Sequence, residues 1–126
     1  MILDSCSLID LMNGDEAALA RLDELTEEAR PLAMSTLTVT EVGSGLRGER
    51  EIRAFDALVD RMTVVPYEYH HARRAARIQR RLFDEGAPIG AVDVMIAATA
   101  VERSEPILTR NVSEFGRIEA ARVSPY

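Results

Sequence analysis

The chain has 126 residues, of which 47% are hydrophobic and 29% are charged, the proportions of a globular protein with a single continuous core. Its formal net charge of −6 argues against non-specific electrostatic binding of nucleic acid over the whole surface. The basic residues are all arginine, which excludes sites that need a lysine ammonium, such as a phosphate-binding loop or a Schiff base.

Short apolar runs alternate with stretches of helical periodicity along the whole chain. The predicted strands are 1–3, 32–35, 62–65, 106–109 and a last edge strand at 121–123. The predicted helices are one capped by Ser5 or Ser7 and stopped at Asn13–Gly14, one over 15–29, one from Leu37 capped by Thr36 or Thr38, those over 49–61 and 70–85, and one that carries Asp93 and follows a turn at 87–90. We expect 111–116 to be a loop.

Three of these helices carry more specific expectations. Gly43 and Gly45 are predicted inside the third helix, at a cost of roughly 1 kcal/mol each relative to alanine, and close backbone packing would explain them. The apolar stripe of the 49–61 helix is predicted to be Ile52, Phe55, Leu58 and Val59. The small or apolar face of the 70–85 helix is predicted to be Ala72, Ala75, Ala76, Gln79, Leu82 and Phe83.

Strands separated by helices predict a mainly parallel sheet with helices on both faces. We therefore expect one domain over 1–126, an α/β chain folded as a three-layer α/β/α sandwich with about five short strands.

The stretch 89–101 is almost entirely apolar or small and has one charge, Asp93. A helix that is apolar on all sides belongs in a core, and a carboxylate pressed against a core needs hydrogen-bond donors, a cation or a metal. The simpler interpretation is that Asp93 only caps the helix, since a helix N-terminus favours negative charge.

Other polar side chains are expected at the same edge of the sheet as Asp93. Asp4 follows the first strand, Glu41 lies early in the helix after the second, and Asn111 follows the fourth with Glu114 close behind. Carboxylates in one pocket repel each other and need a cation. Oxygen ligands without a His or Cys cluster select Mg²⁺ or Mn²⁺, and such a metal can activate water and polarise a phosphoryl oxygen for phosphodiester hydrolysis.

At these positions the chain resembles the PIN-domain ribonucleases, and most closely the VapC-type toxins of VapBC toxin–antitoxin pairs. The matching stretches are Leu-Asp-Ser-Cys-Ser-Leu-Ile-Asp-Leu-Met (3–12), Leu-Thr-Val-Thr-Glu-Val (37–42), Asp-Val-Met-Ile-Ala-Ala-Thr-Ala (93–100) and Ile-Leu-Thr-Arg-Asn-Val-Ser-Glu-Phe (107–115). Each stretch alone is a weak signal, but the four occur in the family's order and spacing over nearly the whole chain.

The resemblance implies a metal-dependent endoribonuclease that acts as a toxin, with RNA as substrate, a VapB-type antitoxin as partner and a homodimer as the assembly. It implies that Asp4, Glu41 and Asp93 bind Mg²⁺ or Mn²⁺ and that Asn111 belongs to the catalytic set. Asn111 stands where many PIN domains have Asp, which leaves a second metal open. Side chains that could contact substrate or support the ligands are Ser5, Thr109, Arg110 and Glu114.

Several features allow two interpretations. The arginines of the 70–85 helix, Arg73, Arg74, Arg77, Arg80 and Arg81, could hold RNA phosphates or simply form a solvated face. Arg110 could contact substrate or balance the acids. His70 and His71 are adjacent in sequence and do not form a metal pair, so a structural or surface role is expected. Cys6 is expected to be a packed thiol rather than a nucleophile.

Two other functions compete with the ribonuclease hypothesis. A receiver-type signalling module also has an acidic pocket, but it relies on a lysine that this chain lacks. A PIN domain with weak or no toxin activity, retained for protein binding or RNA processing, would fit Asn111 and the small 43–45 segment. The lone Cys6, the lack of a basic N-terminal region and the absence of a membrane-length apolar run predict a cytoplasmic protein without membrane association.

Overall fold

The structure is a computed structural model that describes residues 1–126. Its five strands are Ile2–Leu3 (β1), Ala33–Ser35 (β2), Thr63–Val65 (β3), Ile107–Leu108 (β4) and Val123–Ser124 (β5). Its seven helices are Ser5–Met12 (α1), Glu16–Glu27 (α2), Thr36–Gly43 (α3), Gly48–Val59 (α4), Tyr69–Asp84 (α5), Ala91–Glu102 (α6) and Val112–Phe115 (α7). The predicted strands and long helices are all present, with their ends shifted by one or two residues.

The five strands form one sheet in the order β3-β2-β1-β4-β5, and every neighbouring pair is parallel. In the register of the central strands, Ile2 lies beside Ala33 on one side and Ile107 on the other. Because all strands run the same way, their carboxyl ends lie at one edge, as a ligand site beyond that edge requires.

Alternating strand residues divide the core between the two faces of the sheet. Ile2 and Ile107 point into a core that α5 and α6 cover, whereas Leu3 and Leu108 point into one that α1, α2 and α4 cover. The predicted three-layer α/β/α sandwich is confirmed. None of the helices has the length and apolar character needed to cross a membrane.

The predicted caps of α1 and α3 were wrong by one to three residues. Asp4 caps α1, because its Oδ1 accepts a hydrogen bond of 2.9 Å from the Ser7 backbone N–H. Ser35 caps α3 by accepting a bond of 3.1 Å from the backbone N–H of Leu37. Both caps lie at the end of a strand, so each helix begins directly at the edge of the sheet.

The predicted apolar faces of α4 and α5 were also partly wrong. In α4 only Phe55 is buried, and Ile52 is 45% exposed. The buried residues of α5 are His71, Ala75, Ile78 and Leu82, whereas Ala72, Ala76 and Phe83 are exposed. The observed face follows the spacing of 4, 3 and 4 residues that one side of a helix requires.

The remaining corrections concern glycines and the last loop. Gly43 ends α3 and Gly45 follows it, so neither lies in the helix interior, and a Cβ at Gly43 would meet no atom within 4 Å. Close packing within the chain therefore does not explain Gly43. The predicted loop 111–116 contains the short helix α7. Phe115, its last residue, is fully buried and anchors this segment to the core that α5 and α6 cover.

Candidate active site at the carboxyl edge of the sheet

Asp4 is held rigidly where β1 passes into α1. Its side chain is buried, and while Oδ1 caps the helix, Oδ2 accepts a hydrogen bond of 2.5 Å from the Thr109 hydroxyl. The Cys6 thiol lies 3.1 Å from the same oxygen. A buried carboxylate is stabilised by such donors, and here they come from α1 and from the residue that follows β4.

Asp93 lies in the first turn of α6, where the helix N-terminus favours its negative charge. Its pKa is nevertheless raised to about 6, first by burial and then by the charges of Glu41, Asp4 and Glu114. A hydrogen bond with Glu114 raises it further. Asp4, Glu41 and Glu114, from three other parts of the chain, therefore lie close enough to Asp93 to oppose its ionisation; we call these four residues the acidic edge.

The interpretation of Asp93 as only a helix cap does not describe its position. The N-cap of α6 is Gly90, which has no side chain, and a Cβ built there would lie 3.7 Å from Asp93 Oδ2. Asp93 is the third residue of the helix, and its carboxylate faces the other acids. The N-terminus of α6 stabilises the negative charge of Asp93, whereas the neighbouring carboxylates destabilise it.

Glu41 is the exposed member of the acidic edge. It lies in the second turn of α3, on the wall of a groove of about 470 Å³ between α1, α3 and α4. The groove is also lined by Ile9, which is 44% exposed, and by Leu46 and Arg50. The acidic edge is therefore continuous, through Glu41, with a surface that is partly apolar.

Asn111 and Glu114 are joined to each other and to Asp4 by a chain of hydrogen bonds. The Asn111 amide Nδ2 donates to Glu114 Oε2 at 2.9 Å, and its backbone N–H donates to the Thr109 hydroxyl at 2.9 Å. Thr109 in turn donates to Asp4. Thr109 and Asn111 are thus positioned to orient carboxylates, and the roles predicted for them in catalysis stay predictions.

The donor set suits a hard cation that keeps some of its water. As the side chains stand, no three of the His, Cys, Asp or Glu groups are arranged to share one metal ion. Mg²⁺ is usually held by only one or two carboxylates and several waters, so Asp4 and Asp93 suffice as direct ligands. The Ser5 hydroxyl is buried beside Asp4 and has no hydrogen-bond partner, as expected of a group that faces bound water. The side chains present therefore fit Mg²⁺ or Mn²⁺.

Arg110, proposed to contact substrate or balance the acids, pairs with none of the acidic edge. Its Nη1 donates to Asp10 Oδ1 at 3.0 Å, and the Tyr126 hydroxyl donates to Asp10 Oδ2 at 2.6 Å. Asp10 and Tyr126 were missed by the sequence reasoning. The sequence contains a signal for Asp10, because it is a single acid between the apolar pairs Leu8-Ile9 and Leu11-Met12. Asp93 is isolated among apolar residues in the same way. Nothing in the sequence points to Tyr126.

The arginines of α5 are divided between the two interpretations. Arg74 pairs with Glu102 at 2.8 Å, and Arg81 pairs with Glu85 and Glu119. Arg73 lies against Tyr69 and beside a shallow groove of about 260 Å³, while Arg77 and Arg80 make no ion pair.

His71 and Cys6 have the structural roles that were expected. His71 is buried, and its Nδ1 accepts a hydrogen bond of 2.9 Å from the Glu68 backbone N–H at the start of α5. Burial, followed by the neighbouring His70, lowers the pKa of His71, so the ring is neutral. Burial, followed by the charge of Asp4, raises the pKa of the Cys6 thiol and keeps it protonated.

Comparison with known families gives one match that spans nearly the whole chain. The PIN domain model matches residues 1–120. Ribonuclease VapC19 from Mycobacterium tuberculosis is 32% identical over 114 residues, which cover 90% of each protein. The tRNA(fMet)-specific endonuclease VapC from Salmonella typhimurium is 29% identical over 99 residues, which cover 75% of each protein.

Solved structures agree with this match. A chain of the DNA-bound VapBC from Salmonella typhimurium has a TM-score of 0.85 and 28% identity, with 98% of this chain and 96% of that chain covered. A chain of VapBC2 from Rickettsia felis, bound to a promoter DNA fragment, has a TM-score of 0.88 over 99% and 97% of the two chains; at 19% identity it supports the fold alone.

Proposed function

This chain belongs to the PIN-domain family, and from that premise we propose that it is a metal-dependent endoribonuclease acting as the toxin of a VapBC-type pair. The observation that carries the proposal is the acidic edge, where Asp93 is surrounded by three other carboxylates and has a pKa of about 6. Such repulsion destabilises the fold unless a cation is bound. The sequences named ribonuclease and endonuclease VapC supply the reaction class.

We assign the direct metal contacts to Asp4 and Asp93, and the outer part of the site to Glu41. When bound here, Mg²⁺ would lower the pKa of a water molecule and polarise a phosphoryl oxygen of RNA. Thr109 holds the orientation of Asp4 through its hydroxyl, and Asn111 holds Glu114 against Asp93 through its amide. Because Glu41 is exposed, it can orient water or substrate without a large rearrangement of the core.

The partners follow from the same premise. Structures described as VapBC and FitAB complexes align with nearly all of this chain, which supports a cognate VapB-type antitoxin. We propose that this antitoxin covers or enters the acidic edge and that the toxin is a homodimer. The receiver-type alternative lacks support, since the family match and the missing lysine both oppose it.

The test is Mg²⁺-dependent cleavage of RNA by the purified chain. We expect cleavage that EDTA abolishes, and Asp93→Asn to lower its rate at least about 100-fold, since removing one preorganised polar contact that stabilises a transition state costs about this much. Asp23→Asn is the matched control, because Asp23 is an exposed acid of α2 and makes no ion pair. Full activity in the Asp93→Asn protein would refute the proposed function.

A further inference from the structure

Arg110 occupies the residue between two members of the hydrogen-bond chain that supports the acidic edge. Thr109 on one side donates to Asp4, and Asn111 on the other donates to Glu114. The Arg110 side chain leaves this segment toward α1 and contacts Asp10 there. The backbone of Arg110 is therefore fixed beside the acidic edge, and its guanidinium lies against Asp10 on α1, the helix that Asp4 caps.

Asp10 is an unusual partner for a surface arginine because its side chain is only 9% exposed. It receives one hydrogen bond from Arg110 and another from the Tyr126 hydroxyl, so three separate parts of the chain meet at one carboxylate. Burial, and then the hydrogen bond to Asp10, raises the pKa of Tyr126, which keeps its hydroxyl protonated as a donor. Tyr126 and Arg110 thus each satisfy a different oxygen of Asp10.

The Arg110 side chain itself is 62% exposed. Of its five N–H donors, only those on Nη1 are engaged, so the rest of the guanidinium fork faces solvent. An arginine anchored at one end has already lost much of its rotamer freedom, and binding a ligand with its free side then costs less entropy.

We propose that Arg110 is a phosphate-binding residue for the RNA substrate, presented beside the acidic edge by Asp10 and Tyr126. The inference rests on the proposed function for the identity of its ligand. Four carboxylates repel a phosphodiester, and a cationic side chain at their border offsets that repulsion for the phosphate next to the one that reacts. Asp10 and Tyr126 are positioning residues, since they act on the substrate only through Arg110.

The test is binding of a fluorescently labelled single-stranded RNA in EDTA, where no cleavage occurs, over a series of salt concentrations. We expect Arg110→Gln to weaken binding about three- to tenfold and to reduce the slope of log affinity against log salt by about 0.7, the value for one phosphate contact on a single strand. Arg110→Lys should restore the slope while recovering only part of the affinity, because a lysine keeps the charge and loses the fork.

The control is Arg103→Gln. Arg103 is also exposed and pairs with a partly buried acid, Glu105, but it lies at the opposite edge of the sheet. Arg103→Gln removes the same charge as Arg110→Gln but far from the acidic edge. We therefore expect it to leave the salt slope unchanged. Tyr126→Phe retains Arg110 and removes only the hydrogen bond from the Tyr126 hydroxyl to Asp10. We expect a KM two- to threefold higher with little change in kcat.

The double variant Asp10→Asn/Arg110→Gln separates substrate binding from simple neutralisation of Asp10. If Arg110 serves only to neutralise Asp10, removing both charges restores the affinity and slope of the unmodified protein, and the proposal is wrong. If Arg110 binds phosphate, the double variant remains as weak as Arg110→Gln. Equal slopes for Arg110→Gln, Arg103→Gln and the unmodified chain would also overturn it.

The outcome for Arg110 is distinguishable from that for the proposed function. A chain that binds RNA through Arg110 but never cleaves it contradicts the proposed function alone. A chain that cleaves RNA with an unchanged salt slope in Arg110→Gln contradicts only the phosphate-binding role. A chain that neither binds nor cleaves RNA refutes both.

Discussion

Acidic side chains lie at both edges of the sheet, but their pKa values are shifted in opposite directions. At the carboxyl edge, the acidic edge crowds four carboxylates together, and the pKa of Asp93 is raised to about 6. At the amino edge, Glu102 ends α6 and Glu105 precedes β4, and each has a cation beside it. The pKa of both glutamates is lowered.

Burial alone does not explain the difference. Burial would raise the pKa of Glu105, but the N-terminal ammonium at 2.8 Å and Arg103 outweigh it. At the acidic edge burial acts in the same direction as the neighbouring charges. Arg110, the nearest arginine in sequence to Asn111, pairs with Asp10 instead. The fold therefore places cations beside Glu102 and Glu105 at the amino edge and gives no member of the acidic edge, where a metal is proposed to bind, a cationic partner.

The largest expected effect is on metal binding. Because Asp93 must lose its proton before it can bind Mg²⁺ and its pKa is about 6, we expect the affinity for Mg²⁺ to fall about tenfold between pH 7 and pH 5. Isothermal titration of the metal-free protein with MgCl₂ at these two pH values measures this. An affinity that does not change with pH would show that Asp93 is not a ligand.

The next effect concerns the stability of the metal-free protein. The pKa of Asp93 is higher in the folded chain than in the unfolded one, so its contribution to stability is present below about pH 4 and is lost as the pH rises through about 6. Since Asp93 is only partly buried, we expect Asp93→Asn to stabilise the protein at pH 8 by about 1–2 kcal/mol, less than the full shift implies.

Urea unfolding in EDTA at pH 4 and pH 8 checks this expectation. The gain should be present at pH 8 and absent at pH 4, where Asp93 is already protonated. Asp23→Asn is the matched control for loss of one acidic charge, because Asp23 is exposed on α2 and makes no ion pair. A variant that is less stable than the unmodified protein at pH 8 would mean that the repulsion is already compensated.

The order of elements and the positions of the acids could be predicted because both depend on local signals. A buried strand is recognisable in the sequence as a short apolar run that ends at a polar residue. An isolated acid in an apolar helix, such as Asp93, is equally easy to identify. The buried face of α5 could not be predicted correctly, since small residues such as Ala72 and Ala76 fit an exposed face as well as a buried one. The packing of α5 against α6 decides which side is covered.

Contacts between distant parts of the chain were also beyond the sequence. The bond from Tyr126 to Asp10 joins residues that are 116 positions apart, and no periodicity predicts it. The caps were missed for a different reason: Ser5, Ser7 and Thr36 are all good capping residues, and only the backbone geometry shows that Asp4 and Ser35 precede the first turn. The capping role of Asp4 nevertheless agrees with its predicted place at the end of β1.

At the amino edge, we expect Glu105→Gln to lower stability by about 1 kcal/mol in protein that begins at Met1, since it removes the carboxylate charge beside a buried ammonium and leaves that ammonium with neutral acceptors only. The pKa of Glu105 is lowered in the folded state, so its contribution is present above its unfolded pKa and is lost as the pH falls through the folded value. Urea unfolding over a pH series should show the penalty at pH 7 and a smaller penalty as the pH is lowered below the unfolded pKa of Glu105.

The smallest effect is expected for Glu102→Gln. Arg74, which lowers the pKa of Glu102 chiefly through a hydrogen bond, is itself partly exposed, and solvent screens a pair of this kind. We expect Tm to fall by no more than about 2 °C and RNA cleavage to be unchanged. Thermal unfolding in low and high salt measures the first, and the cleavage assay the second. Loss of cleavage in Glu102→Gln, with Tm unchanged, would show that the amino edge also takes part in the reaction. The comparison of the two edges would then no longer distinguish structural acids from functional ones.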